Sequence, residues 1–189
     1  VLAYRDKQVT PSQIGAQLRA NYVLTGSLRR AGNRLRINTQ LVDTQTDFPL
    51  WSERYDREMK DVFELQDEIA HKIAEALRVT LSPQEQEDLA AKPTADLQAY
   101  DLYLRGKSYA RRLTRQDMEF ALQMFENAVA IDPNFALAHA AIANVCAQFH
   151  YHYERKGDWL QRAVTATQRA SALQPHAPEV QLAESWILY

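Results

Sequence analysis

A single cysteine, Cys146, is present in 189 residues, alongside only 5 glycines and 7 prolines. One thiol cannot close an intrachain disulfide, so no disulfide framework holds the fold. A reducing compartment fits this usage, and the bacterial envelope stays open beside it. So little glycine and proline excludes collagen-like and low-complexity chains. Gly15, Gly26, Gly32, Gly106 and Gly157 never cluster, which leaves no glycine-rich phosphate loop. Long apolar runs are missing too. The most apolar stretch, Phe135 to Ala147, carries His139 and Asn144 and falls short of the ~20 apolar residues that span a bilayer. Charge of one sign is not in excess: Lys+Arg 22 against Asp+Glu 24 leaves a net charge of -2, no signature of direct nucleic-acid binding.

What remains is an ordinary globular composition, 46% hydrophobic and 24% charged, sized for one domain or two small ones. Thr10-Pro11-Ser12-Gln13 predicts a helix start, with Thr10 as cap, Pro11 in the first turn and Gln13 closing a capping box. From Tyr22 the apolar period changes to two. Leu24 and Leu28 alternate with Thr25 and Ser27, then Leu35, Ile37, Thr39 and Leu41 alternate with Arg34, Arg36, Asn38 and Gln40. This predicts two half-buried strands joined as a hairpin through Ala31-Gly32-Asn33. A third strand is expected from Phe48 to Tyr55, after the Asp43-Thr44-Gln45-Thr46-Asp47 turn. Asp61 and Glu64 read as a cap pair ahead of Val62, Leu65, Ile69, Ile73 and Leu77, whose helical spacing makes one apolar stripe.

Ser82-Pro83-Gln84-Glu85 predicts a short polar helix that ends at Lys92-Pro93-Thr94. Beyond it strand signals vanish. Ala121, Phe125, Ala128 and Pro133 recur as Ala163, Thr167, Ala170 and Pro175, a constant offset of 42 residues. The spacing resembles the second helix and closing turn of a tetratricopeptide repeat, in which small residues let paired helices approach. Gly106 and Tyr109 fit the Gly-x2-Tyr of the first helix, and Gly106 recurs as Ala143. The excess over the usual repeat length falls between the helices, at Leu113-Thr114-Arg115 and at His152 to Gly157, where polar bulging loops are expected. The expected organisation is an α+β domain at 1–81, a helical linker at 82–98 and an all-α solenoid of helical hairpins at 99–189. Its units are 99–135, 136–177 and a partial third, 178–189. Val1 in place of Met, no basic-then-apolar leader, and an apolar helical pattern running to Tyr189 raise the expectation of a fragment. The first strand and helix of the α+β domain would then lie upstream, and further repeats downstream.

Both halves together resemble a bacterial family that joins a domain like the amino-terminal domain of TolB to tetratricopeptide repeats. The resemblance is carried by Tyr22-Val23-Leu24-Thr25-Gly26-Ser27-Leu28 and its continuation to Ile37, and by Leu50-Trp51-Ser52-Glu53-Arg54-Tyr55-Asp56-Arg57. Leu65-Gln66-Asp67-Glu68-Ile69-Ala70 and Ala99-Tyr100-Asp101-Leu102-Tyr103-Leu104-Arg105-Gly106 complete it. It covers nearly the whole chain. In such families this region is the carboxy-terminal part of signalling proteins, fused to an adenylate or guanylate cyclase domain, a serine/threonine kinase domain or a winged-helix DNA-binding domain. The resemblance implies a region on the cytoplasmic or the extracytoplasmic face of the inner membrane, and the residues do not choose between them.

By the repeat register, positions 2, 5, 9 and 13 of each first helix face a concave groove. They are Tyr100, Tyr103, Lys107 and Arg111 in the first unit, and Leu137, Ala140, Asn144 and Gln148 in the second. A protein or peptide partner is expected there. Packing against the preceding helix or domain is the other reading of Tyr100 and Tyr103. The set departs from the clamp that grips a terminal carboxylate in chaperone-binding relatives, because Tyr103 and Lys107 stand at positions 5 and 9. Arg29, Arg30, Arg34 and Arg36 surround the hairpin turn as a candidate anion patch; protection of an exposed strand edge explains them too. His139, Cys146 and His150 share one side of a helix, yet packing accounts for them better than a metal or a nucleophile. Glu53 to Glu58 reads as a charge-paired strand end. No catalytic, cofactor or metal site is expected, and self-association of the repeats is a further expectation. The chain reads as a non-catalytic regulatory module. The alternative is the regulatory region of a cyclase or kinase whose catalytic domain lies upstream.

Overall fold

A computed structural model describes residues 4, 9–79, 92–155 and 157–187. The polar helix expected from Ser82 lies outside the described residues, as do Leu188 and Tyr189. The chain divides into two compact units, Val1–Ala91 and Lys92–Tyr189, the first α+β and the second helical.

In the first unit helix α1 (Pro11–Leu18) opens with the full capping box: Gln13 N donates to Thr10 Oγ1, and Thr10 N donates to Gln13 Oε1. Strands β1 (Tyr22–Ala31), β2 (Arg34–Asp43) and β3 (Pro49–Glu58) form an antiparallel sheet in the order β1-β2-β3. Ala31 pairs with Arg34 across a two-residue turn in which Gly32 takes φ 59, the left-handed geometry that glycine adopts without a Cβ clash. β3 runs three residues past the expected Tyr55, because Asp56 and Arg57 still pair with Arg36 and Leu35.

The register places Leu35, Thr39 and Leu41 on one face with Tyr55, and all four are buried. Helix α2 (Val62–Ala76) packs on β3 and contributes buried Phe63 and Leu65. β1 departs from the expected half-burial, with Leu24 at 50% and Leu28 at 62% exposure. β1 lies at the sheet edge and α2 packs at the opposite edge, on β3. The expected Asp61 cap is also absent: a 3-10 turn, Met59–Asp61, leads directly into α2, and the Asp61 side chain caps no amide. A side-chain cap needs extended backbone at that position, whereas Asp61 has ψ 10.

The second unit contains α3 (Leu97–Ala110), α4 (Arg115–Ile131), α5 (Ala136–Gln148), α6 (Trp159–Leu173) and α7 (Pro178–Ile187). α3 packs on α4 and α5 on α6, while α7 lies against both α5 and α6. Small residues set the spacing: Ala99, Ala121, Ala128, Ala163 and Ala170 are fully buried. α5 is buried on most of its circumference, which its alanine-rich sequence permits. The expected polar bulge after α5 is partly a packed element instead. Phe149–Tyr153 continues the helix as a π turn, and Phe149 is buried with its ring stacked on Trp159 at 4.5 Å. The Tyr153 hydroxyl donates to the Leu113 carbonyl at 2.8 Å. Aromatic burial at Phe149 draws this segment inward in spite of its polar neighbours.

Candidate groove and its electrostatics

Helical spacing builds a groove inside the second unit. Tyr103, Lys107 and Arg111 stand at i, i+4 and i+8 along α3 and its C-cap, so they form one stripe. Leu137, Ala141, Asn144 and Gln148 form the facing stripe on α5, and Glu179 with Leu182 closes the groove from α7. The groove is open to solvent and holds about 270 Å³, with the buried Phe125 and Val145 at its floor. Small-molecule pockets run upward from ~300 Å³, so this space suits one or two side chains of a larger ligand.

Six residues expected at a groove are brought together here: Tyr103, Lys107, Arg111, Leu137, Asn144 and Gln148. Tyr100 is not among them. It is buried and stacks on Tyr103 at 6.3 Å. Ala140 is buried as well, and its neighbour Ala141 faces the groove. Glu179 and Leu182 escaped the sequence reading, although the offset of 42 carries Leu137 to Glu179 and Ala140 to Leu182. That signal was present in the repeat.

Tyr103 is both core and groove wall. Its ring is 3% exposed, 5.0 Å from Phe135 and 5.8 Å from Phe125, and Lys107 Nζ sits 5.3 Å above it. Burial pushes the Tyr103 phenol upward, the negative charge of Glu179 adds to the rise, and Arg111 opposes it. The neutral phenol is therefore what a ligand meets. Among the described residues neither Lys107 nor Arg111 forms an ion pair, whereas Arg105, Arg112, Arg115 and Arg162 each hold a carboxylate. Asn144 Oδ1 is buried and accepts no hydrogen bond.

Three of the four hairpin arginines, Arg29, Arg34 and Arg36, share one face of the sheet, and two of them are engaged by one carboxylate. Arg34 and Arg36 both grip Asp56, at 2.9 and 2.8 Å, and their hydrogen bonds hold the Asp56 carboxyl below the usual carboxylate range. Arg29 stands opposite Arg36 in the ladder, while Arg30 alternates to the other face and its Nε donates to the Gly32 carbonyl. Cys146 is fully buried, and burial pushes its thiol up to about 11, away from the thiolate that a nucleophile or metal ligand needs. His139 Nε2 meets the Pro133 carbonyl at 3.0 Å. Among the described residues no three His, Cys, Asp or Glu side chains gather as a metal site, and no helix is long and apolar enough to cross a membrane.

No protein-family model matches the chain. It is similar to "Putative adenylate cyclase 3" of Rhizobium meliloti (strain 1021), with 39% identity over 141 residues, 75% of this chain and 24% of that protein. The chain thus matches under a quarter of that relative's length. A likeness of this extent supports a link to adenylate cyclase proteins and is compatible with a regulatory region of one.

Proposed function

We propose that the second unit is a tetratricopeptide-type docking module, and that the chain acts without catalysis of its own, holding a peptide or protein segment for a larger bacterial signalling protein. One observation carries this reading: first helices of successive hairpins, α3, α5 and α7, share a groove whose cations have no carboxylate partner among the described residues. Units that bury their apolar faces only against neighbours produce such a concave wall. The sheet, its glycine turn and α2 support a likeness of the first unit to the amino-terminal domain of TolB. Panning the chain against a displayed random peptide library tests the docking reading. Enriched peptides are expected to shift the amide resonances of Leu137, Ala141, Asn144 and Gln148; no enrichment, or a footprint elsewhere, rejects the groove.

The likeness to the Rhizobium protein favours a second, compatible reading, in which the module tunes a cyclase domain of the same polypeptide. Cyclic-nucleotide output of the parent protein is then expected to change with Gln148→Arg at unchanged expression. Identical output from both proteins counts against regulation through this groove.

A further inference from the structure

Granted that the second unit docks a peptide, the premise on which this inference rests, the groove specifies more than an extended occupant. Its walls are mainly apolar: Leu137, Val145 and Leu182 face one another across a space about one or two side chains in volume. Burial of a leucine-sized side chain in such a space fixes a register but does not select a sequence. Selection falls to the polar rim. Lys107 and Arg111 project from one helix face, four residues apart, and neither forms an ion pair among the described residues. Every other described helix-borne arginine of this unit has a side-chain partner, Arg169 through Asn134 and the rest through carboxylates. The two groove cations thus stand apart. Glu179 holds the opposite wall on α7, so the groove carries positive charge along α3 and negative charge along α7.

We infer that the groove recognises an internal peptide segment in which a leucine-sized apolar residue is flanked by aspartate or glutamate. The apolar side chain fills the space between Leu137, Val145 and Leu182. Its acidic neighbour faces Lys107 and Arg111. Glu179 excludes a second run of acidic residues on the α7 side, so the acidic flank lies on one side of the anchor only. Tyr103 contributes a neutral ring beneath Lys107, which keeps the ammonium over the groove through the attraction of the ring face for a cation.

The test uses the full chain and the peptides enriched from the random displayed library. Enriched sequences are expected to pair one apolar anchor with a one-sided acidic flank. Their affinity is expected to fall at least about tenfold on replacing both cations, Lys107→Glu with Arg111→Glu, because like charges then face each other. Repeating the selection on that double variant is expected to turn the flank basic. Circular dichroism of the double variant confirms folding, and the charged positions lie outside the core. Peptides that footprint on the groove without an acidic flank, or a flank that survives charge reversal, overturn this inference and leave the docking reading standing. Peptides that never reach the groove overturn both. Tighter binding of a single-stranded oligonucleotide than of any enriched peptide to Lys107 and Arg111 also overturns it.

Discussion

At the scale of single residues, the second unit is governed by how closely two backbones approach. A Cβ built on Gly106 would lie 2.5 Å from the Phe125 ring. Phe125 is itself 1% exposed and wedged against Tyr103, so the ring has nowhere to retreat. Gly106→Ala is therefore expected to cost about 1–3 kcal/mol despite the better helix propensity of alanine. Urea unfolding of the variant checks it; unchanged stability would mean that α3 and α4 pack less closely than described. Cys146 gives a second residue-scale prediction. Its thiol is pushed from the ordinary value up to about 11 by burial, so the unfolded chain loses this proton first. Stability from this group is complete below the unfolded pKa, near 8.5, and is lost as pH climbs toward 11. The raised Tyr103 phenol acts in the same direction at higher pH. The expected result is a chain that loses stability between about pH 9 and 11, less steeply in Cys146→Ala after its own neutral-pH stability is subtracted. The native thiol should also resist an aromatic disulfide reagent at pH 8 until denaturant is added.

Elements in this chain begin where side chains satisfy the first free amides. Asp96 Oδ1 accepts from Gln98 N at 2.8 Å and Ala99 N at 2.9 Å, and Thr94 links the same corner to Asp132. Asp96→Ala is expected to destabilise α3 by about 0.5–2 kcal/mol, visible as faster amide exchange at Gln98, Ala99 and Tyr100 with α6 unaffected. Uniformly faster exchange would show instead that α3 unfolds only with the whole unit. Local chemistry of this kind is what the sequence displays most openly. Thr10, Pro11 and Gln13 announced α1, Gly32 announced the hairpin, and Ala121, Ala128 and Pro133 announced the helix pairing through their recurrence. Residues whose role depends on distant neighbours were less legible. Leu24 and Leu28 alternate like buried strand residues, yet their exposure follows from edge position, which no local pattern encodes. Asp61 looked like a cap because the 3-10 turn before α2 has no sequence mark of its own. Tyr103 and Tyr100 are chemically alike, and only the helix phase, referred to Phe125 and Phe135, separates groove wall from stacked support.

For the molecule as a whole, the groove depends on one compact unit, and α7 is its weakest wall. α4 buries Met118, Ala121, Leu122, Phe125 and Ala128, whereas α7 buries Val180 and Ala183 and leaves Leu182 54% exposed. Ser171 and Tyr151 add hydrogen bonds to Glu184 and to the Trp186 carbonyl, but polar contacts of this kind contribute only about 1 kcal/mol each. Opening of α7 is therefore expected at lower free energy than opening of α4, with amides of residues 180–187 exchanging at least about a hundredfold faster than those of 118–128. A peptide that touches Leu182 and Glu179 should slow exchange in α7 more than in α4, since a ligand stabilises most the element that it helps to order. Equal protection of both helices in a monomeric, unliganded chain would contradict this gradient. If protection in α7 rises instead with protein concentration, the exposed Leu182 face is being covered by a second copy, and sedimentation over the same concentration range would show the dimer.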